Sequence, residues 1–308
     1  MPILTQRIQL AAKIEATEGT AESLAAADAM LVANPTFRPE IKSTDRAQLS
    51  SSLSRFGAVP GLRSAVIEFD VELKSSGVAG TSPVIGKLMR ACGFGETIVA
   101  STSVTYAPAS ASVPSITIAL YADGMRKMIW GARGTFRIVC KAGEPSVIHF
   151  VFTGADFSVT DLSLLTGVSY ETTVPQPFQA ATFTIDSYAA IIESLEIDIG
   201  NQVSLRPDVT AISGHRSAAI TKRESVLTID PELITVATYD FYGKWRSGVM
   251  GALSLAIGAV VGNKAEITAP KVQYVGIAPG DRLGIRTLGI DSWLNRSSGD
   301  DEISIAFK

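Results

Sequence analysis

The sequence predicts a mainly β protein with few α-helices. Most segments with a clear pattern alternate apolar and polar residues with a period of two. Gly, Pro, Asn and Asp interrupt those segments at short intervals, as turns between strands require. Helical patterning is confined to a few short stretches. Together these features predict antiparallel strands with a few packed helices.

Residues 63–73 show the strand pattern most clearly. Ala65, Ile67, Phe69, Val71 and Leu73 share one face, and Ser64, Glu68, Asp70 and Glu72 lie opposite. Further strands are predicted over 8–16, 115–121, 134–141, 146–152, 194–199, 224–229, 266–275 and 301–307, with a hairpin turn at 141–145. Helices are expected over 22–33, with Thr20 as N-cap, from Ser82-Pro83 to about residue 92, and over 238–246. The apolar run 249–261 falls short of the ~20 residues that span a bilayer. Broken by Gly251, Ser254 and Gly258, it reads as buried strand and turn. Residues 34–62 carry Pro35, Pro39, Pro60 and Ser50-Ser51-Ser52 without periodicity. They are expected to form a long loop ordered on contact with another subunit.

The chain also echoes itself. Phe37-Arg38-Pro39-Glu40-Ile41 is matched by Leu205-Arg206-Pro207-Asp208-Val209 at an offset of 206 − 38 = 168. Residues 63–73 are matched by 223–233 at 223 − 63 = 160, and Gly86-Lys87 recurs as Gly243-Lys244 at 243 − 86 = 157. The preserved order predicts a duplicated domain, with boundaries at 1–165 and 182–308 and a stiff connector, containing Val174-Pro175-Gln176-Pro177, at 166–181.

Composition narrows the function. With 27 basic against 30 acidic residues and a net charge of −3, the chain is a poor candidate for gripping duplex DNA through phosphates. Charged residues are 19% of the total, which suits extensive protein–protein contact better than a lone soluble monomer. Cys92 and Cys140 read as reduced, buried thiols, with a single disulfide as the alternative. The beginning of the sequence lacks the layout of a secretory signal. His149, in an apolar strand, and His215, read as a loop residue, have no partners at metal-ligand spacing. No Gly-x-Ser-x-Gly elbow occurs, and Gly262 is followed by Asn263 where a phosphate loop needs Lys. No enzyme, metal or cofactor is expected.

Several motifs carry a resemblance. They are Lys13-Ile14-Glu15-Ala16-Thr17-Glu18-Gly19-Thr20, Ala26-Ala27-Asp28-Ala29-Met30-Leu31-Val32, Arg63 to Leu73, Ser82 to Thr97, Tyr121-Ala122-Asp123-Gly124, Trp130 to Thr135 and Glu193 to Asn201. In this order they resemble the major tail proteins of long-tailed, siphovirus-like bacteriophages and prophages. The resemblance implies a tail-tube domain, a β-sandwich or barrel with a flanking helix. Six domains would close a ring, so a duplicated chain would form trimeric, pseudo-hexameric rings, with hexameric rings as the alternative. It further implies a virion tail component assembled in the bacterial cytoplasm, with tape measure protein and linear double-stranded DNA in the lumen, whose inner surface the net charge of −3 predicts to be net-negative. Tail terminator and distal tail proteins would sit at the ends, with no membrane contact. Candidate ring-to-ring contacts are Phe37, Arg38, Glu40, Lys42, Asp45, Arg46, Arg55 and Phe56, with Arg206 and Asp208 as their match. The alternatives are the inner tube of a contractile tail or secretion-type device, and a secreted carbohydrate-binding sandwich, which the 7% aromatic content disfavours.

Overall fold

The computed structural model describes residues 4–308. In chain order the first part contains β1 (Ile8–Ile14), β2 (Ala29–Met30), β3 (Ala33–Thr44), β4 (Val59–Glu72), α1 (Gly86–Ala91), β5 (Phe94–Val99) and β6 (Ser103–Pro108). β7 (Ile116–Ala122), β8 (Gly124–Lys141), β9 (Val147–Gly154) and β10 (Asp156–Leu162) complete it. The second part contains β11 (Thr182–Ile185), β12 (Ser194–Asp198), β13 (Asn201–Pro207), β14 (His215–Arg223) and β15 (Val226–Ile229). It ends with α2 (Phe241–Ser247), β16 (Gly251–Ile257), β17 (Ala265–Arg282), β18 (Ile285–Asn295) and β19 (Ser304–Phe307). All the named ladders are antiparallel, so the mainly β expectation holds.

One long strand organises each part. β8, at 18 residues, pairs through its first half with β7 and β10 and through its second half with β9. It therefore belongs to both layers of a sandwich. β1 extends the first layer beside β7, and β4 extends the second beside β9. Between the layers lie Leu10, Ile118 and Ile129 from one side and Phe69, Phe136, Ile138, Phe150 and Phe152 from the other, all buried. The Phe136 and Phe150 rings sit 5.5 Å apart, and Phe69 and Phe150 5.8 Å. Each such ring stabilises the fold by roughly 1.5–3 kcal/mol through burial. β17 has the same length and plays the same part in the second sandwich. It pairs with β16 and β19 through its first half and with β18 through most of the rest.

The two parts repeat one another in register. Phe37 faces Ile67 and Ile41 faces Arg63; Ile197 faces Leu227 and Asn201 faces Arg223. Every one of these positions is shifted by 160, for example 197 − 37 and 223 − 63. Phe69 faces Phe150 as Ile229 faces Ile290, with 290 − 150 = 140. An ion pair is repeated too. Arg63 Nε bonds Asp156 Oδ1 at 2.6 Å, and Arg223 Nε, at the equivalent position, bonds Glu302. The Asp156 carboxylate holds the Arg63 guanidinium above its ordinary pKa through that hydrogen bond.

Several sequence expectations need correction. Residues 22–33 form no long helix; only a 3₁₀ turn at Ala26–Asp28 precedes β2. The Glu22 carboxylate accepts from Ala16 N–H at 3.0 Å and from Lys13 at 2.8 Å, and β2 pairs with β1. Tertiary contacts thus override the alanine-rich helix propensity. Residues 34–62 are not one loop but most of the β3–β4 hairpin with residues 45–58 at its tip. The third helix begins later than expected, at Phe241, where Asp240 accepts from Gly243 N–H at 2.7 Å. His215 opens β14 and is not a loop residue. The register shift of 160 pairs Phe37 with Ile197, so the textual match of Phe37 to Leu205 is eight residues out of place, 205 − 197. Cys92 and Cys140 are free and buried, and burial raises both thiol pKa values, that of Cys140 to about 11.

The repeated ion pair gives a stability prediction. Asp156→Ala and Glu302→Ala each remove a carboxylate partner of a partly covered guanidinium, Arg223 keeping Asp300 at 3.2 Å, and are each expected to cost about 1–3 kcal/mol. Urea denaturation of the two variants measures this; a normal cost at one site and none at the other would contradict their equivalence.

Candidate assembly interface

Each part sends out a hairpin arm. The first is formed by β3 and β4 beyond Ile41 and Arg63, and the second by β13 and β14. The arms have the same chain length between equivalent pairs, since 63 − 41 and 223 − 201 both equal 22. Their order differs. The second arm is laddered out to Pro207 and His215, whereas the first stops pairing at Thr44 and Val59.

The second arm is ordered because it has a seat on the first part. β14 runs across β8 and touches β4 and β9. The seat begins with Glu15, a buried carboxylate. It accepts from Gly19 N–H at 2.8 Å, Ser115 Oγ at 2.5 Å, Thr117 Oγ1 at 3.0 Å and Gly131 N–H at 2.7 Å. These bonds satisfy the charge internally and fix the 15–19 turn. That turn presents Glu18, which accepts from Arg133 at 2.8 Å and Ser217 at 2.8 Å, with Arg206 at 3.5 Å. Burial pushes the Glu18 carboxyl upward, but the Arg133 and Ser217 hydrogen bonds outweigh it and leave the pKa lowered.

Further along, the Asn201 amide donates to Cys92 C=O at 2.7 Å and Gly134 C=O at 3.0 Å. Arg133 also bonds the Ala218 carbonyl, and Arg63 N–H bonds Ser213 C=O at 3.1 Å. At the tip Gly214 adopts φ 78°, and a β-carbon there would stand 2.2 Å from Leu62 Cδ2. Only glycine meets both demands without strain.

Among the described residues the first arm has no such seat. At its base the half-buried Phe37 packs edge-on against Phe157 at 5.9 Å, with Lys127 5.8 Å from its ring centroid. Arg38 pairs with Glu68. Glu40 and Lys42 are exposed along β3. At the tip Asp45 pairs with Arg55 at 2.5 Å and Arg46 lies over Phe56 at 5.6 Å. Leu49 and Leu53 between them are fully exposed. The structure thus gathers Asp45, Arg46, Arg55 and Phe56 into one tip, while Phe37, Arg38, Glu40 and Lys42 line the strand below. Arg206 and Asp208 belong to the other arm. Arg206 faces Glu18 within the chain, and Asp208 turns onto Thr210 N–H at 2.9 Å. Sequence reasoning did not single out Glu15, Arg133, Asn201 or Arg223. All four lie in or beside the segments that carry the family resemblance or the internal repeat.

No group of three or more His, Cys, Asp or Glu side chains placed to hold a metal occurs among the described residues, and none of their helices is long and apolar enough to cross a membrane. A family model described as phage tail tube protein matches residues 5–287. The chain belongs to that family. No individually curated protein matches it. This tail tube protein is therefore a structural component of a phage virion tail that assembles with itself into a tube.

The Glu18 cluster makes a testable prediction. A lowered carboxyl pKa stabilises the seated state above the unfolded value of about 4.3. That stabilisation is lost as pH falls through the lower folded value. Glu18→Gln is expected to speed amide exchange in β13 and β14 at neutral pH and leave β9 unchanged, as read by hydrogen–deuterium exchange. Unchanged exchange in both arm strands would refute the role given to Glu18.

Proposed function

We propose that this tail tube protein forms stacked trimeric rings enclosing the conduit for double-stranded DNA in a long, flexible, siphovirus-like tail. The supporting observation is the shared register of the two parts. Each chain supplies two structurally equivalent units, so three chains supply the six positions of a pseudo-sixfold ring. Contacts that close by rotation limit the ring, and contacts along the axis leave the stack open. Tape measure protein and linear DNA occupy the lumen without sequence-specific contact, and terminator and distal tail proteins cap the ends. The net charge of −3 suits a wall along which phosphates slide without being held.

Six arms project from such a ring, two from each chain. We assign Lys42, Asp45, Arg46, Arg55, Phe56 and Asp208 on these arms to the contact with the next ring. The exposed Leu49 and Leu53 add apolar area that assembly would bury.

Electron microscopy of the purified chain at high concentration is expected to show hollow rods. Replacing residues 46–57 by a short turn should leave a folded subunit, with unchanged circular dichroism, that forms no long rods. Normal rods from that variant would remove the arm from the assembly account. If the intact chain forms no rods or rings, even with tail initiator proteins added, the tube reading itself fails.

A further inference from the structure

The chain contains a template for the contact between its own copies. Its two parts join where β12 adds to the free edge of β8, with Glu196 opposite Val139 and Asp198 opposite Arg137. Ile199 N–H, just beyond β12, bonds Phe136 C=O at 3.1 Å and continues the same ladder. Each partner in this junction has an equivalent elsewhere in the chain.

By the shift of 160, the equivalent of β12 is the stretch of β3 from Asn34 to Arg38, regular from Thr36 onward after a bulge between Ala33 and Thr36. Phe136 faces Phe150 as Ile277 faces Ile290, so the second half of β8 corresponds to β17 at 277 − 136 = 141. Arg137–Lys141 therefore corresponds to Ala278–Arg282. β3 pairs only with β4, and β17 beyond Val272 pairs only with β18, among the described residues. One chain thus exposes both halves of a junction that it makes once internally.

The arm repeats the logic. The second arm lies over the first part, with its tip bonded to Arg63 N–H. The equivalents of Arg63, Val66 and Thr153 in that region are Arg223, Val226 and Trp293. These three line an open cleft of about 980 Å³, and Trp293 is 55% exposed there. Meanwhile the first arm, of equal length, has no seat among the described residues.

We propose that β3 of one copy adds to the edge of β17 of a second copy, with Arg38 opposite Ala278 and Thr36 opposite Gly280. The first arm then lies across the second copy in the cleft lined by Arg223, Val226 and Trp293. This inference rests on the ring reading and names the strands that close it.

Prolines tune the contact. In the internal ladder the outward-directed positions include Leu195, Ile199 and Ile138; their equivalents at the open edges are Pro35, Pro39 and Pro279. Each proline keeps its carbonyl acceptor but lacks the donor. The junction between copies therefore retains Phe37 N–H to Pro279 C=O, Asp281 N–H to Pro35 C=O and Ile277 N–H to Pro39 C=O. The same prolines discourage indiscriminate strand addition before assembly. The free edges are selective for one register, and the link between copies is weaker than the internal one.

The test is a double cysteine variant of the full chain, Arg38→Cys with Ala278→Cys. Both positions are exposed, and the native thiols Cys92 and Cys140 are buried. The equivalent internal pair falls between hydrogen-bonded pairs, where α-carbons stand about 4.5 Å apart, within disulfide range. The control is Arg38→Cys with Leu283→Cys, whose second position lies in the turn just after β17, roughly 16 Å from Ala278 at ~3.3 Å per residue. Oxidation of assembled rings should link chains through the first pair and not the control, as seen on a non-reducing gel. Rings by electron microscopy without that link, or equal linking of the control, would overturn this pairing and leave the ring reading intact. Neither rings nor link would overturn both.

Discussion

Strand edges are the constraint on which this molecule depends. A sheet that ends in an unpaired strand leaves a row of backbone donors and acceptors open to any other chain. Here the edge of β8 is closed within the chain by β12, and that one ladder joins two sandwiches built to the same register. The β5–β6 hairpin straps the join from another side by pairing with β19. The edges of β3 and β17 stay open, guarded by Pro35, Pro39 and Pro279. The geometry that joins the halves of one chain is the geometry we propose for joining neighbouring chains.

The two arms show how context decides order. They have equal length and equivalent roots, yet only one is laddered nearly to its tip. The difference lies in the surface beneath. Glu15 fixes a turn, the turn presents Glu18, and Glu18 draws in Arg133, Ser217 and Arg206. Each hydrogen bond to a charged group contributes about 1.5–3 kcal/mol. Among the described residues the first arm makes ion pairs only with itself and with its own strand, and such exposed pairs contribute little. In the proposed ring its order comes from the neighbouring copy, which delays full structure until assembly.

Much of the fold was legible in the sequence because alternation is a local signal. Residues 63–73 announced β4 with Phe69 inward, and the Gly86-Lys87 and Gly243-Lys244 matches pointed to α1 and α2. The helix expected over 22–33 failed because alanine content says nothing about Glu22 bonding Ala16 or β2 pairing with β1. The first arm was read as loop because its prolines and exposed faces erase the alternation, while its pairing with β4 is a tertiary fact. The repeat was visible in part: Arg63 matched Arg223 correctly, but Phe37 was drawn to the similar string at Leu205, where only the strand register reveals Ile197. The seat was the least legible feature, since Glu15, Glu18 and Arg133 meet the second arm across long stretches of chain.

The central claim is that one chain supplies two equivalent positions of a six-position ring. The mass of a single ring tests it most directly, measured by native mass spectrometry on tubes gently dissociated into rings. Three chains give 3 × 32.5 = 97.5 kDa, and that is the predicted result. A ring of six chains, 6 × 32.5 = 195 kDa, would contradict the account.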